Sequence, residues 1–318
     1  MEHRPLGQSE LSISIQGFGC WAMGGAGWGP VDDDESIAAV HRARDHDINF
    51  FDTADAYGFG HSEEVLAKAL GKDRSGLVVA TKGGLAWDNR GRIRHDCSPE
   101  HLQGALEASL SRLKVERIDL YQIHWPDPAV PVEETIGWAF DQVSVGKIHA
   151  VGVSNYDTEH MERALSGGPI VSLQPPYSLL DRSIEEAILP FCLRASIGVV
   201  PYSPLGMGLL TGKFGPESSF TGWRAINEHF QGERYQANLR VVERLKPLAQ
   251  KRGVTVGQLA LAWVMGQPGV TSTIVGAKRP EQVDENVGAA GTQLDEAECV
   301  SIDAIIHEEL GSLAEENR

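Results

Sequence analysis

The chain has 318 residues, 42% hydrophobic and 23% charged, the proportions of an ordinary globular protein and not of a disordered one. A net charge of −16 argues against a nucleic-acid backbone as the main partner, because phosphate affinity needs clustered lysine and arginine, although a few converging cations can still hold a small anion. The four cysteines (Cys20, Cys97, Cys192 and Cys299) are scattered, residues 1–14 lack the apolar core of a signal peptide, and no apolar run reaches the ~20 residues that cross a bilayer; reduced thiols, no membrane association and a cytoplasmic location are expected.

In chain order, two short β segments near Leu6 and at 11–15 precede an alternation of short apolar runs with amphipathic helical patterns. Strands are predicted at 17–21, 48–53, 77–82, 118–124, 148–154, 170–174, 198–203 and 272–276, each apolar on both faces. Helices are predicted between them at 33–47, 62–70, 99–113, 132–145, 158–164, 184–195, 235–251 and 281–289. Start signals support three of these: Ser62 before Glu63 and Glu64, Ser98 before Pro99 and Glu100, and Pro131 before Glu133. Eight strand–helix units predict an α/β fold, a (β/α)8 TIM barrel with an N-terminal β-hairpin, formed as a single domain over 1–318; a doubly wound open sheet is the alternative. Residues 204–234, rich in Gly, Phe and Trp, are too long for an ordinary βα loop and are expected to fold over a ligand. From Leu294 onward a helical pattern is expected to cover part of the barrel's outer surface.

A barrel gathers its chemistry at the C-terminal ends of its strands. Strand two ends in Asp52 and runs on to Tyr57, strand three ends in Lys82 and strand four in His124, which turns four ionisable side chains toward one mouth. Taken singly, each has an ordinary structural reading: a packed tyrosine, a satisfied histidine, a buried ion pair. Histidines 41, 46, 95, 101 and 307 show no metal-ligand spacing, so no metal is expected. The glycines of GFGCWAMGGAGWG lack the acidic ribose partner of a Rossmann fingerprint.

The segments FDTADAYGFGHSE, VATKGG and DLYQIHWPD, followed by GVSNY, LQPPYSLLDR, PYSPLGMGLLTGKF and IVGAKRPEQVDEN, resemble the motifs of the aldo-keto reductase superfamily in order and spacing. The resemblance covers roughly residues 4–290 and is nearest to microbial reductases related to the potassium-channel β-subunits. It implies an NADP(H)-dependent oxidoreductase that exchanges hydride between nicotinamide and a carbonyl or alcohol, with Asp52, Tyr57, Lys82 and His124 as its catalytic tetrad. The chemistry is coherent: reduction leaves an alkoxide that needs a proton, and Lys82, kept charged by Asp52, would lower the pKa of Tyr57 so that it can act as the acid. His124 would orient the substrate and hydrogen-bond the developing oxyanion.

The same resemblance implies the cofactor contacts. Ser154, Asn155 and Gln174 would hold the nicotinamide carboxamide, Tyr202 would stack on the ring, and Trp21 and Asp52 would border it. Ser203, Leu205 and Gly206 would meet the pyrophosphate, with Lys213 and Arg224 as cations of the long loop. Gly276 opens a turn into a helix where Lys278 would read the adenosine 2′-phosphate, with Gln282, Glu285 and Asn286 nearby. Here Gly276 and Ala277 stand where familiar relatives have Lys-Ser, so NAD(H) is the weaker alternative cofactor. Trp28, Trp87 and Trp125 would wall the substrate pocket, suiting an apolar or sugar-like carbonyl. Two rival readings are a Schiff-base enzyme using Lys82 and an NADP-binding redox-sensing subunit with little turnover.

Overall fold

Strands β1 (His3–Pro5) and β2 (Ser12–Ser14) form an antiparallel hairpin. The turn between them needs Gly7, whose φ is 54° and whose Cβ, if present, would stand 2.3 Å from the Val171 carbonyl oxygen. Leu6 and Ile13 of this hairpin are fully buried in one apolar cluster with Phe50, Val78, Leu120, Ala150, Val200 and Ile274. That cluster fills the N-terminal end of the barrel interior. The structure is a computed structural model and describes residues 1–315.

Beyond the hairpin, strands and helices alternate: β3 (Gln16–Gly19), α1 (Asp33–Asp45), β4 (Phe50–Asp52), α2 (His61–Leu70) and β5 (Val78–Gly83). A hairpin of β6 (Leu85–Trp87) and β7 (Ile93–His95) precedes α3 (Pro99–Leu113). Then follow β8 (Ile118–Ile123), α4 (Val132–Ser144), β9 (Ile148–Ser154), α5 (Thr158–Gly167), β10 (Ser172–Gln174), α6 (Ile188–Ala195) and β11 (Gly198–Val199). The long segment carries the short α7 (Trp223–Ile226) into α8 (Gly232–Arg252) and α9 (Val256–Met265); β12 (Thr273–Gly276), α10 (Pro280–Val287) and α11 (Glu296–Glu315) complete the chain. The eight core strands are parallel in the order β11-β10-β9-β8-β5-β4-β3-β12. The Thr271 N–H donates to the Val199 carbonyl (2.8 Å) and the Ile274 N–H to that of Pro201 (2.9 Å), joining the last strand to the seventh and closing the barrel. Closure sets aside the open-sheet alternative.

Local chemistry explains the helix boundaries. The Asp32 carboxylate accepts from the N–H groups of Asp34 and Glu35, and an acidic first turn and basic last turn complement the dipole of α1. Ser98 caps α3 as predicted. Ser62 does not cap α2: that helix begins at His61 behind left-handed Gly60, and the Ser62 hydroxyl is buried, donating to the Cys20 carbonyl and pairing with Thr53 Oγ1. Strand seven is shorter than expected, since Pro201 has no N–H for the ladder. Strand one stops at Gly19, and Trp21–Gly24 is a 3-10 turn.

Several elements escaped sequence reading, among them α7, α9 and both strands of the β6–β7 hairpin. Helix α9 is buried on every side, so it shows no amphipathic period, and only its Thr255/Gln258 capping box marks it. Strand β7 is wholly exposed, so its hairpin shows no apolar alternation. The tail helix α11 lies along α8, burying Ile302, Ile305, Ile306 and Leu310 and pairing Glu309 with Arg240 and Arg244; residues 316–318 of the tail lie outside the described residues.

Candidate active site

Inward-facing residues change from apolar to polar along four neighbouring strands, Phe50 to Asp52, Ala80 to Lys82, Leu120 to Gln122 and Gly152 to Ser154, and on the next strand Ser172 is already polar two residues before Gln174. Because alternate residues share one face, this step builds a polar floor above an apolar plug. At its centre the Lys82 ammonium, 0% exposed, donates to Asp52 Oδ1 (2.6 Å), the Thr53 carbonyl (2.9 Å) and the Tyr57 hydroxyl (3.2 Å). The other Asp52 oxygen accepts from Gln122 Nε2 (3.0 Å) and Gln174 Nε2 (2.8 Å). Gln122, which sequence reading missed, thus shares in holding the carboxylate; its signal was its place at a strand end level with Lys82.

The four predicted tetrad residues come together. Burial pulls the Lys82 pKa down, but Asp52 and Tyr57 outweigh it and hold the pKa above the ordinary lysine value. Tyr57 departs from expectation: burial pushes its pKa above the usual phenol value, and the opposing pull of Lys82 does not overcome it. His124, whose ring lies 5.8 Å edge-on from that of Tyr57, is held far below the ordinary histidine range by burial and by the Lys82 charge, so it is a neutral imidazole.

Ser154 Oγ donates to the Gln174 carbonyl (2.8 Å), and Asn155 Nδ2 donates to the His124 carbonyl and to Ser154 Oγ (both 3.0 Å). The Tyr202 hydroxyl donates to Asn155 Oδ1 (2.9 Å). Asn155 and Ser203 hold φ of 61° and 56°, left-handed conformations that cost a non-glycine residue and are sustained only by their surroundings. The Gly206 N–H donates to the Ser203 carbonyl, and Leu205 packs beside them against the core.

The long segment, strand eight and α10 converge into a cationic patch. Lys213, Arg224, Lys278 and Arg279 lie near enough that Lys213 is depressed first by burial and then by the three other charges, with Glu285 as the opposing anion. Arg224 donates to the Met207 carbonyl (2.9 Å) and lies over the Trp28 ring (5.0 Å). Lys278 Nζ donates to the Trp28 carbonyl (2.8 Å), while its N–H is capped by Gln282 Oε1 (2.8 Å). Asn286 is buried on the same helix, and Gly276 ends β12. In a chain of net charge −16, these four converging cations could hold a cofactor phosphate.

The aromatic residues divide. Trp21 lies 6.1 Å from the Tyr57 ring and meets Trp28 edge-on at 4.9 Å. Trp223, unassigned by sequence reading, reaches from the long segment to within 5.9 Å of Trp21 and bonds the Ala26 carbonyl (3.0 Å). Trp125 is exposed and stacked on His95. Trp87 packs against Phe59 and lines a cavity beside α3.

The model of the Aldo/keto reductase family matches residues 17–307. The chain is 38% identical over 312 residues to "Aldo-keto reductase YhdN" of Bacillus subtilis (strain 168), covering 96% of this chain and 94% of that protein. It is 37% identical over 314 residues to the "NADH-specific methylglyoxal reductase" of Escherichia coli (strain K12), covering 94% and 96%. The solved glycerol dehydrogenase of Gluconobacter oxydans superposes with a TM-score of 0.90 at 36% identity, over 97% of this chain and 96% of that one.

Proposed function

The chain belongs to the aldo/keto reductase family, and from that premise we propose that it is an NADP(H)-dependent oxidoreductase, reducing an aldehyde or ketone, or oxidising the corresponding alcohol, with Tyr57 as general acid and base. The observation that carries this reading is the buried Lys82 ammonium, which bonds Asp52 and the Tyr57 hydroxyl at once. When bound, nicotinamide supplies or accepts the hydride. The Tyr57 hydroxyl gives its proton to the carbonyl oxygen, Lys82 stabilises the phenolate left behind, and Asp52 keeps that ammonium charged and aimed. Neutral His124 hydrogen-bonds the same oxygen and orients the substrate without adding charge. Ser154, Asn155 and Gln174, with the Tyr202 ring, are the groups that would hold the nicotinamide. Trp21, Trp28 and Trp125 would bound the substrate, which suits an apolar or sugar-like carbonyl. An NADPH-oxidation screen over aldehydes, ketones, sugars and polyols tests the reading; tight cofactor binding without turnover across all classes would instead support a redox-sensing subunit.

The cationic patch supports the choice of NADP(H). Since one relative carries the name NADH-specific, the choice needs its own test. Lys278→Ala is expected to weaken NADPH binding about 10- to 100-fold, the worth of one charge-assisted hydrogen bond, and to leave NADH nearly unchanged. Arg279→Ala is the control for its neighbour. Both cofactors titrated into the three proteins by tryptophan quenching give the answer, and equal losses for NADPH and NADH would remove Lys278 from the phosphate site.

The direction of the Tyr57 shift sets a pH dependence. Reduction needs the protonated phenol, and a raised pKa keeps it protonated through neutrality and past the usual ~10. Oxidation needs the phenolate, so it should climb with pH throughout the same range. Initial rates in both directions, measured with one alcohol and its carbonyl, check this; an oxidation rate already level at neutral pH would show that the Tyr57 pKa has been brought down.

A further inference from the structure

A cavity of about 520 Å³ lies between α3, Trp87 of β6 and the segment leading into α2, a volume within the range of small-molecule sites. The room comes from sequence: residues 104, 105 and 108 of α3, spaced to share one face, are Gly104, Ala105 and Ala108, while Leu102, Leu106 and Leu110 fill the core on the other.

Asp55, also in the wall, is 1% exposed, and neither of its carboxyl oxygens has a hydrogen-bond partner in the described protein. Two charges of the lining are already answered. Arg112 donates to Glu63 (2.6 Å), and Asp96 accepts from Arg94 (2.7 Å). Asp55 and Glu100 remain as carboxyl groups with no ion pair among the described residues, so the lining favours a cation. Among the described residues no group of three or more His, Cys, Asp or Glu is placed to hold a metal ion, and the space far exceeds a bare one. The Trp87 indole adds an aromatic wall of the kind that attracts organic cations.

We propose that this cavity is a second ligand site, separate from the barrel mouth, that takes a small organic ammonium with Asp55 as its buried anchor. Left alone, burial and the nearby Glu63 raise the Asp55 pKa well above the ordinary carboxylate value against the pull of the neighbouring Ala56 N–H, so the group gives up its proton less readily than a free carboxyl. An ammonium donor placed against the two free oxygens lets the carboxyl ionise, so binding is accompanied by proton release. The adjoining Arg112 stays committed to Glu63.

The test is calorimetric titration of the full-length protein with putrescine at mildly alkaline pH and fixed ionic strength, using butane-1,4-diol as the neutral control. The expected result is saturable putrescine binding, proton release seen as a dependence of the heat on the buffer's own ionisation, and no response to the diol. Asp55→Asn should weaken binding about tenfold or more. Ala105→Leu, which fills the space and leaves every charge in place, should abolish it without changing the rate of carbonyl reduction. No saturable binding, binding undiminished in both variants, or equal binding of the diol would each overturn the assignment.

Discussion

Tyr57→Phe is expected to lower carbonyl reduction by about 10²-fold or more while leaving the fold and cofactor affinity close to those of the parent. The change removes one oxygen. That oxygen bonds Lys82 at 3.2 Å, and Lys82 keeps its bonds to Asp52 and to the Thr53 carbonyl, so the ammonium stays in place. The phenyl ring retains its packing against Trp21 and His124. What is lost is the proton donor, and neutral His124 is a poor substitute because burial and the Lys82 charge oppose the imidazolium it would need in order to give up a proton as an acid. Steady-state kinetics with cofactor titration separate the two effects. A kcat near that of the parent would remove Tyr57 from the acid role.

Lys82→Met should abolish most activity and also destabilise the protein, by roughly 3–5 kcal/mol, the usual consequence of leaving one member of a buried ion pair alone. Lys82 is fully buried and the Asp52 side chain nearly so. Gln122 and Gln174 still donate to one Asp52 oxygen, but the other loses its 2.6 Å partner. The double variant Asp52→Asn/Lys82→Met should recover part of the stability and none of the activity, since the buried charge is gone while the Tyr57 hydroxyl still lacks its cation. Denaturant unfolding and kinetics on the three proteins test both halves; a single variant as stable as the parent would mean that the pair carries little of the fold. The same variant tests the Schiff-base rival. The pKa of Lys82 is held above the ordinary value, so the amine is protonated and a weak nucleophile, and borohydride should trap no adduct even in the parent.

What the sequence by itself determined were features written in neighbouring residues. The order of strands and helices follows from short apolar runs alternating with amphipathic ones, and the ionisable groups that follow those runs mark the barrel mouth, while the resemblance of the surrounding motifs is what singles out Asp52, Tyr57, Lys82 and His124 as a tetrad. Elements with no such contrast were invisible: α9 has no polar face and β7 no apolar one. Ser62 had the composition of a cap, but its hydroxyl serves Cys20 and Thr53 inside the core.

The tertiary structure decided which distant groups answer one another. Gln122 and Gln174 meet on one Asp52 oxygen although they lie 70 and 122 residues away in the chain. Lys213, Arg224, Lys278 and Arg279 become one patch only when the long segment folds back toward α10. The sign of the Tyr57 shift was likewise a tertiary matter, because the favourable charge of Lys82 could be read from a motif, whereas desolvation sums over every element packed around the phenol. Asp55 sits two residues before Tyr57 in the same motif, and sequence reading gave it no role. Only the packing of α3 and the β6–β7 hairpin around it left its carboxyl buried without a partner, since whether a polar group is satisfied depends on what the rest of the chain brings to it.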